Sequence, residues 1–360
     1  MTDPGNQRQA SVAIRSEDGW RGYHGTVVID GSSAPGRTEE RQNLDDASLS
    51  DLRESGLTVL LLTVSEVGSC ASDFEGTLKN IAHWDAQIAA HPDRLLKWRS
   101  AADTQVAKDS GRVALMYAFQ DTTPLGENLD RYLLFHDLGV RVIQPTYNRR
   151  NLMGDGCLEP GNAGLSMLGR ELVARMNATR VLLDLSHCGQ RTTREGIEAS
   201  TLPCAITHAG CSAVVDLPRN KRDEDLRLLA GRGGVVGIYF MPYLREAGQP
   251  MAADVIRHLE HALDVCGEDH VGIGTDGLAS AIVPDKAYRE TLKTVMAQRR
   301  QAGIAAPGER DDAMTFVPDL NTPRRLETLA HLLSTRGHSD ARIEKILGGN
   351  WQRLFREVGR

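Results

Sequence analysis

The sequence contains no Cys-x-x-Cys pair, and its six cysteines (Cys70, Cys157, Cys188, Cys204, Cys211, Cys266) are scattered along the chain. That spacing excludes a disulfide framework and a zinc knuckle, so most of them read as buried thiols. No apolar run approaches the roughly 20 residues of a membrane helix. The stretch from Met1 to Gly19 lacks the apolar core of a signal peptide. Both absences point to a cytoplasmic protein with no membrane partner. Like charges nowhere cluster: 42 basic residues against 48 acidic ones give a net charge of −6, without the footprint a nucleic-acid partner would need. The Gly-x-Ser-x-Gly elbow is missing too, Ser186 stands inside a strand-like run, and Cys188 alternates to the face opposite His187. A covalent nucleophile therefore has no support.

What is present is a globular composition, 41% hydrophobic and 25% charged over 360 residues, with no internal repeat, low-complexity tract or linker. Eight short apolar, β-branched runs recur in order: Val27 to Gly31, Thr58 to Val64, Val113 to Gln120, Val140 to Thr146, Val181 to His187, Cys204 to His208, Val235 to Phe240 and Val271 to Asp276. Between them lie stretches with helical spacing, such as Leu165, Leu168, Leu172 and Met176, or Val255, Leu259, Ala262, Leu263 and Cys266. Strand alternating with helix predicts parallel strands, and near-continuous apolar strands predict cover on both faces. The α/β fold expected is a (β/α)8 TIM barrel, with an open doubly wound sheet as the alternative. A C-terminal helical extension from Thr322 to Val358, with Gly348-Gly349-Asn350 as a stop before its last helix, is expected to close over the outside. Residues 1–20 read as a polar leader and 21–360 as one domain. The long connections Asn148 to Ala163 and Leu278 to Phe316 are expected to wall the active site.

In such barrels the reacting residues come from the C-terminal ends of several strands. Here those ends carry Gln120, Tyr147 and Asn148, His187, His208 and Asp276. Two imidazoles and a carboxylate converging on one mouth form the nitrogen and oxygen set that zinc or a similar divalent ion takes. The plain alternative is that each histidine is a satisfied polar residue at a strand end. Gly272-Ile273-Gly274-Thr275-Asp276-Gly277 matches a dinucleotide fingerprint letter by letter, but it belongs to the eighth strand, and Pro284 soon interrupts the chain beyond it. Its glycines read instead as room for a tight turn beside Asp276. Arg219, in Pro218-Arg219-Asn220, offers a guanidinium suited to a substrate carboxylate.

The words VVIDG, LGVRVIQPTYN, GLSMLGRELVARMN, LLDLSHCG, ITHAGCSAVVDLPRN, GGVVGIYF, HVGIGTD and ILGGNW, in this order, resemble the membrane (renal) dipeptidase family of zinc metallopeptidases. The resemblance spans Val27 to Val358 and implies an amidohydrolase-type barrel, often dimeric, that hydrolyses dipeptides with two bridged zinc ions. It implies that His187 and His208 hold one zinc, that Asp276 binds the other and handles the proton, and that Arg219 holds the substrate carboxylate. The family's first-strand Asp-Gly-His-x-Asp is Asp30-Gly31-Ser32-Ser33-Ala34 here, so both metal ligands at Ser32 and Ala34 are absent. Its bridging glutamate aligns with Gln120, and the histidine that polarises the scissile carbonyl aligns with Tyr147.

Two divalent ions with so little carboxylate between them would repel strongly in a low-dielectric pocket. The expectation is therefore one divalent metal, zinc, on His187 and His208, with Asp276 or Gln120 completing the shell. Asp276 serves as base, Tyr147 as hydrogen-bond donor to the carbonyl, and Arg219, Tyr147 and Asn148 as substrate contacts. The functional expectation is a metallodipeptidase-like hydrolase acting on a small carboxylated molecule. The alternatives are a lyase or deaminase acting on a modified amino acid, and an inactive ligand-binding homologue.

Overall fold

The structure, a computed structural model, describes residues 19–36, 41–65, 67 and 73–359. The expected leader falls almost wholly outside them, as does Cys70. Its last residue, Trp20, is buried, with Nε1 donating to Asp340 at 2.7 Å. The strands are β1 (Ile29–Asp30), β2 (Ser33–Ala34), β3 (Val59–Thr63), β4 (Leu95–Lys97), β5 (Val113–Phe119), β6 (Val140–Ile143), β7 (Leu182–Leu183), β8 (Ala205–Ala209), β9 (Val235–Ile238), β10 (Val271–Ile273) and β11 (Gly277–Leu278).

All eight expected runs contain a strand, and every strand pairing among them is parallel. The ladders form two arcs, β1-β3-β5-β6-β7 and β8-β9-β10. Two seams close the arcs into a barrel. At one, Asp184 bridges Ala205 and Leu185 N donates to Ala205 O at 2.9 Å; at the other, Gly31 N donates to Ile273 O at 2.9 Å. The strand β4, which the hydrophobic pattern did not single out, pairs with the N-terminal half of β5. At the opposite end β2 and β11 pair across the mouth.

Along β3 and β5 the side chains divide by parity. Val59, Leu61, Ala114, Met116 and Ala118 belong to the core inside the barrel, whereas Leu60, Leu62, Leu115, Tyr117 and Phe119 belong to the core beneath the helices. Both faces are covered, which is why the runs read as continuously apolar. The helices between staves include α5 (Met167–Thr179), capped by the Ser166 side chain on Gly169 N, and α8 (Ala252–Cys266). The connection from Leu278 to Phe316 contains α9 (Lys286–Gln301), whose cap Asp285 accepts from Tyr288 N. None of the described helices is long and apolar enough to cross a membrane.

The C-terminal segment differs from expectation. The helix Asp340–Glu344 runs through a π-turn, Lys345–Gly349, into a last helix, Asn350–Val358, so Gly348-Gly349-Asn350 continues the helix rather than stopping it. Nor does this helix lie on the outside. Trp351, Leu354, Phe355 and Val358 join the interior core, and Trp351 Nε1 donates to Ile273 O at 3.1 Å. The helix plugs the N-terminal end of the barrel. A Cβ on Gly272 would stand 2.5 Å from Trp351 Nε1, and one on Gly274 would stand 1.9 Å from Thr207 O. Gly272 and Gly274 of the fingerprint-like run are therefore demanded by close packing, whereas Gly277 has room for a side chain. Trp351→Ala should empty a fully buried site and destabilise the fold by about 3–5 kcal/mol, read as a lowered urea midpoint. An unchanged midpoint would remove the plug from the core.

Candidate functional site

His187 follows β7 and His208 lies within β8, one on each side of the first seam. Both are buried, and their Nε2 atoms approach to 2.9 Å. The Tyr147 ring stacks on the His187 ring, with centroids 4.0 Å apart and planes 27° apart. Asp276 places Oδ1 4.0 Å from His208 Nε2. It does so from a left-handed backbone, φ 57°, held by its N–H on Ser32 O at 2.7 Å. That conformation is strained for a residue with a Cβ, and strain of this kind gathers at functional sites. Burial raises the Asp276 carboxyl to about 6, against the lowering influence of Arg219 and Arg299. Burial also pushes both imidazoles well below their ordinary 6.5, with the Arg219 charge adding to the effect. Both histidines are therefore neutral.

Arg219 is fully buried. Its Nη1 donates to Ser186 O at 2.7 Å, and Tyr239 and Tyr243 each lie 5.8 Å from it, ring centroid to guanidinium carbon. Its Nε and Nη2 have no partner among the described residues. Two unpaired nitrogens on a buried cation are costly, and their geometry suits the two oxygens of a carboxylate.

Asn148, expected to touch substrate, is instead buried with both ends of its amide engaged. Nδ2 donates to Ile304 O at 2.8 Å and Oδ1 faces His187 Nδ1 at 2.6 Å. It orients the histidine. Because that amide is fixed with oxygen toward the ring, His187 carries its proton on Nδ1 and leaves the Nε2 lone pair free. Gln120, expected in the metal shell, turns to Ser32, with Nε2 on Ser32 Oγ at 3.2 Å. Ala34 pairs with Leu278 through its backbone, accepts from Ala279 N at 2.8 Å and packs against the core.

The donor chemistry suits a divalent ion that accepts nitrogen. Two neutral imidazoles present Nε2 at one point, and a tetrahedral ion about 2.0–2.1 Å from each would need them about 3.3 Å apart, a few tenths of an ångström wider than their 2.9 Å. No group of three His, Cys, Asp or Glu is already gathered for an ion among the described residues. Asp276 stands just beyond the pair.

Several residues of the site escaped the sequence reading. Arg299, on α9, donates to Tyr147 Oη at 3.2 Å and pairs with Glu309 at 2.7 Å through Nε and Nη2; Tyr243 Oη also donates to Glu309, at 2.6 Å. The connection Leu278 to Phe316 thus walls the mouth as expected and delivers a second guanidinium to it. Nothing local in the sequence marks Arg299, which lies 152 positions from its tyrosine. Lys221 is buried with Nζ on Leu185 O, Cys188 O and Thr193 Oγ1, bracing the loop that carries His187.

A family model described as membrane dipeptidase, peptidase family M19, matches residues 40–306. The chain is 31% identical to Dipeptidase verJ of Clonostachys rogersoniana over 202 residues, 56% of this chain and 52% of that one. It is 26% identical to Dipeptidase tcpJ of Claviceps purpurea (strain 20.1) over 272 residues, 74% of this chain and 56% of that one. It thus spans a little over half the length of these curated relatives. Among solved structures, an amidohydrolase from Pseudomonas aeruginosa superposes with a TM-score of 0.82 at 30% identity, covering 94% of this chain and 98% of that one.

The raised Asp276 carboxyl has a consequence for stability. A carboxyl raised in the folded state favours folding below its unfolded value of 3.8, and that contribution is lost as pH rises through about 6. After chelation the protein should therefore lose on the order of 3 kcal/mol across that window. Asp276→Asn should flatten that part of the pH–stability curve. Parallel curves for the two proteins would refute the assignment.

Proposed function

The chain belongs to the membrane dipeptidase family, peptidase family M19, and on that footing we propose that it is a metallodipeptidase-like hydrolase cleaving an amide bond in a small carboxylated substrate at a single-metal site. The observation that carries this reading is the convergence of the His187 and His208 Nε2 atoms, 2.9 Å apart, in the same mouth as the two unpaired nitrogens of Arg219. When bound to the two imidazoles, a divalent ion such as zinc supplies Lewis acidity and brings the pKa of a water toward 7.

The chain's own residues account for the rest. Arg219 receives the substrate carboxylate in a bidentate grip and fixes where the scissile bond lies. Asp276, its carboxyl at about 6, takes the proton of the attacking water and returns it to the departing amine near neutral pH. Tyr147 keeps its proton, because burial holds the phenol above its ordinary value. With Arg299 donating to its oxygen, that proton is directed to the carbonyl oxygen on which charge develops. The wall formed by α9 and the segment returning from it keeps bulk water from these groups.

One ion is favoured over two by the residues that stand where the resemblance puts the second ion's ligands. Ser32, Ala34 and Gln120 bring no charge, and the Gln120–Ser32 hydrogen bond already uses two of them. The same neutral pair favours, as a second reading, a lyase or deaminase step on a modified amino acid at this one-metal site.

Purified protein supplemented with zinc should hold about one equivalent per chain and His187→Ala almost none; two equivalents, or none in the unaltered chain, would overturn the single-ion site. Against a dipeptide panel with zinc or manganese, hydrolysis should appear and vanish in His187→Ala, whereas metal binding without turnover of any dipeptide would favour the second reading. Tyr147→Phe should lower kcat by about tenfold or more with little change in KM, and an unaltered kcat would take the phenol out of the mechanism.

A further inference from the structure

Each of the two seams that close the barrel is crossed by a buried aspartate, and the two are wired alike. At the β7–β8 seam, Asp184 Oδ1 accepts from Ser186 N at 3.1 Å, Ser186 Oγ at 2.6 Å and Thr207 N at 2.9 Å, while Oδ2 accepts from Thr207 Oγ1 at 2.7 Å. At the β10–β1 seam, Asp30 Oδ1 accepts from Ser32 N at 3.2 Å and Thr275 N at 2.8 Å, while Oδ2 accepts from Thr275 Oγ1 at 2.6 Å. Neither carboxylate forms an ion pair among the described residues. In both cases the pattern is Asp-x-Ser on one strand and a threonine on the next, and the residue after each threonine faces the mouth: His208 and Asp276.

Proton accounting gives the first brace a specific role. Thr207 Oγ1 has one proton, and it goes to Asp184 Oδ2. Toward His208 Nδ1, 2.8 Å away, the hydroxyl can only accept, so that nitrogen must carry the ring proton. Ser186 Oγ runs in the same sense, donating to Asp184 and accepting from His208 N at 3.1 Å. We propose that Asp184 and Thr207 are positioning residues that lock the His208 proton on Nδ1 and so leave its Nε2 lone pair facing that of His187, with Asp30 and Thr275 the matching brace behind Asp276. The outcome is a seat of two opposed lone pairs that a cation completes. The brace touches neither substrate nor cation. It acts through the imidazole.

The placement of the proton is read without metal and without substrate. In 15N-labelled, chelated protein, the ring nitrogens of His208 should show Nδ1 protonated and Nε2 bare. Thr207→Val removes the acceptor while keeping the shape, and should move the proton to Nε2, where it can bridge to His187; Thr207→Ser should restore the unaltered spectrum. Chelator competition should then show zinc held about tenfold or more weakly by Thr207→Val and near-normally by Thr207→Ser. An Nε2-protonated His208 in the unaltered chain would mean that the hydroxyl chain runs the other way, from a protonated Asp184, and would overturn the proposal. So would a Thr207→Val spectrum identical to the parent. If the unaltered chain bound no zinc, the single-metal reading above would fall, while the spectrum would still decide this one.

Discussion

Eight parallel strands can be wound into a ring only if the last one bonded meets the first, and in this chain the ring is completed at two places where regular ladder pairing gives out. There the buried Asp184 and Asp30 carboxylates take over, each accepting from the backbone and hydroxyl of a threonine on the adjacent strand. A carboxylate buried without a counter-ion survives only when its lone pairs are filled with donors, and these are filled. Burial still raises both groups above the ordinary carboxylate range, against the pull of those hydrogen bonds. The arrangement is therefore a site of stored cost, and what it secures is the relative placement of His208 and Asp276. The mouth inherits its geometry from the closure of the ring.

Much of this was legible in the sequence, because the physics involved is local. Strands covered on both faces must be apolar throughout, so the runs beginning at Thr58, Val113, Val140 and Val235 announced themselves, and polar run ends such as Gln120, His187, His208 and Asp276 marked the mouth. What stayed hidden depends on distance or on parity. The fate of Gly348-Gly349-Asn350 turned on packing: glycines that usually end a helix instead let a π-turn approach the backbone of Val27, 2.2 Å from where a Cβ on Gly348 would stand. Asn148 looked like a substrate contact because it comes just after a strand end, yet Ile304, from the far wall, engages its amide. Arg299 could not be read at all. Asp30 and Asp184 were visible only as a repeated Asp-x-Ser, whose meaning appears once β10 and β8 are set beside them.

Electrostatically the mouth is sparing with negative charge. Arg219 has no carboxylate partner among the described residues and Lys221 is satisfied by two carbonyls and a hydroxyl, so two buried cations act on His187 and His208. Arg299 is neutralised by Glu309. The field of these cations favours negative charge in the mouth, and it adds to burial in depressing protonation of both histidines.

The plug formed by Trp351 also bears on how the chain reaches this state. The indole sits against the backbones of Gly31, Gly237 and Gly272, so a residue that follows every barrel strand in the chain fills a space framed in part by the turn after β1. Until that helix docks, the interior faces of β1 and β3 lack the cover it gives them. Contacts this remote in sequence slow folding and lengthen the exposure of unpaired strand edges. The barrel is accordingly a structure whose ring and base are completed together: the interior residues of its first strands share one core with Trp351 and the helix that carries it.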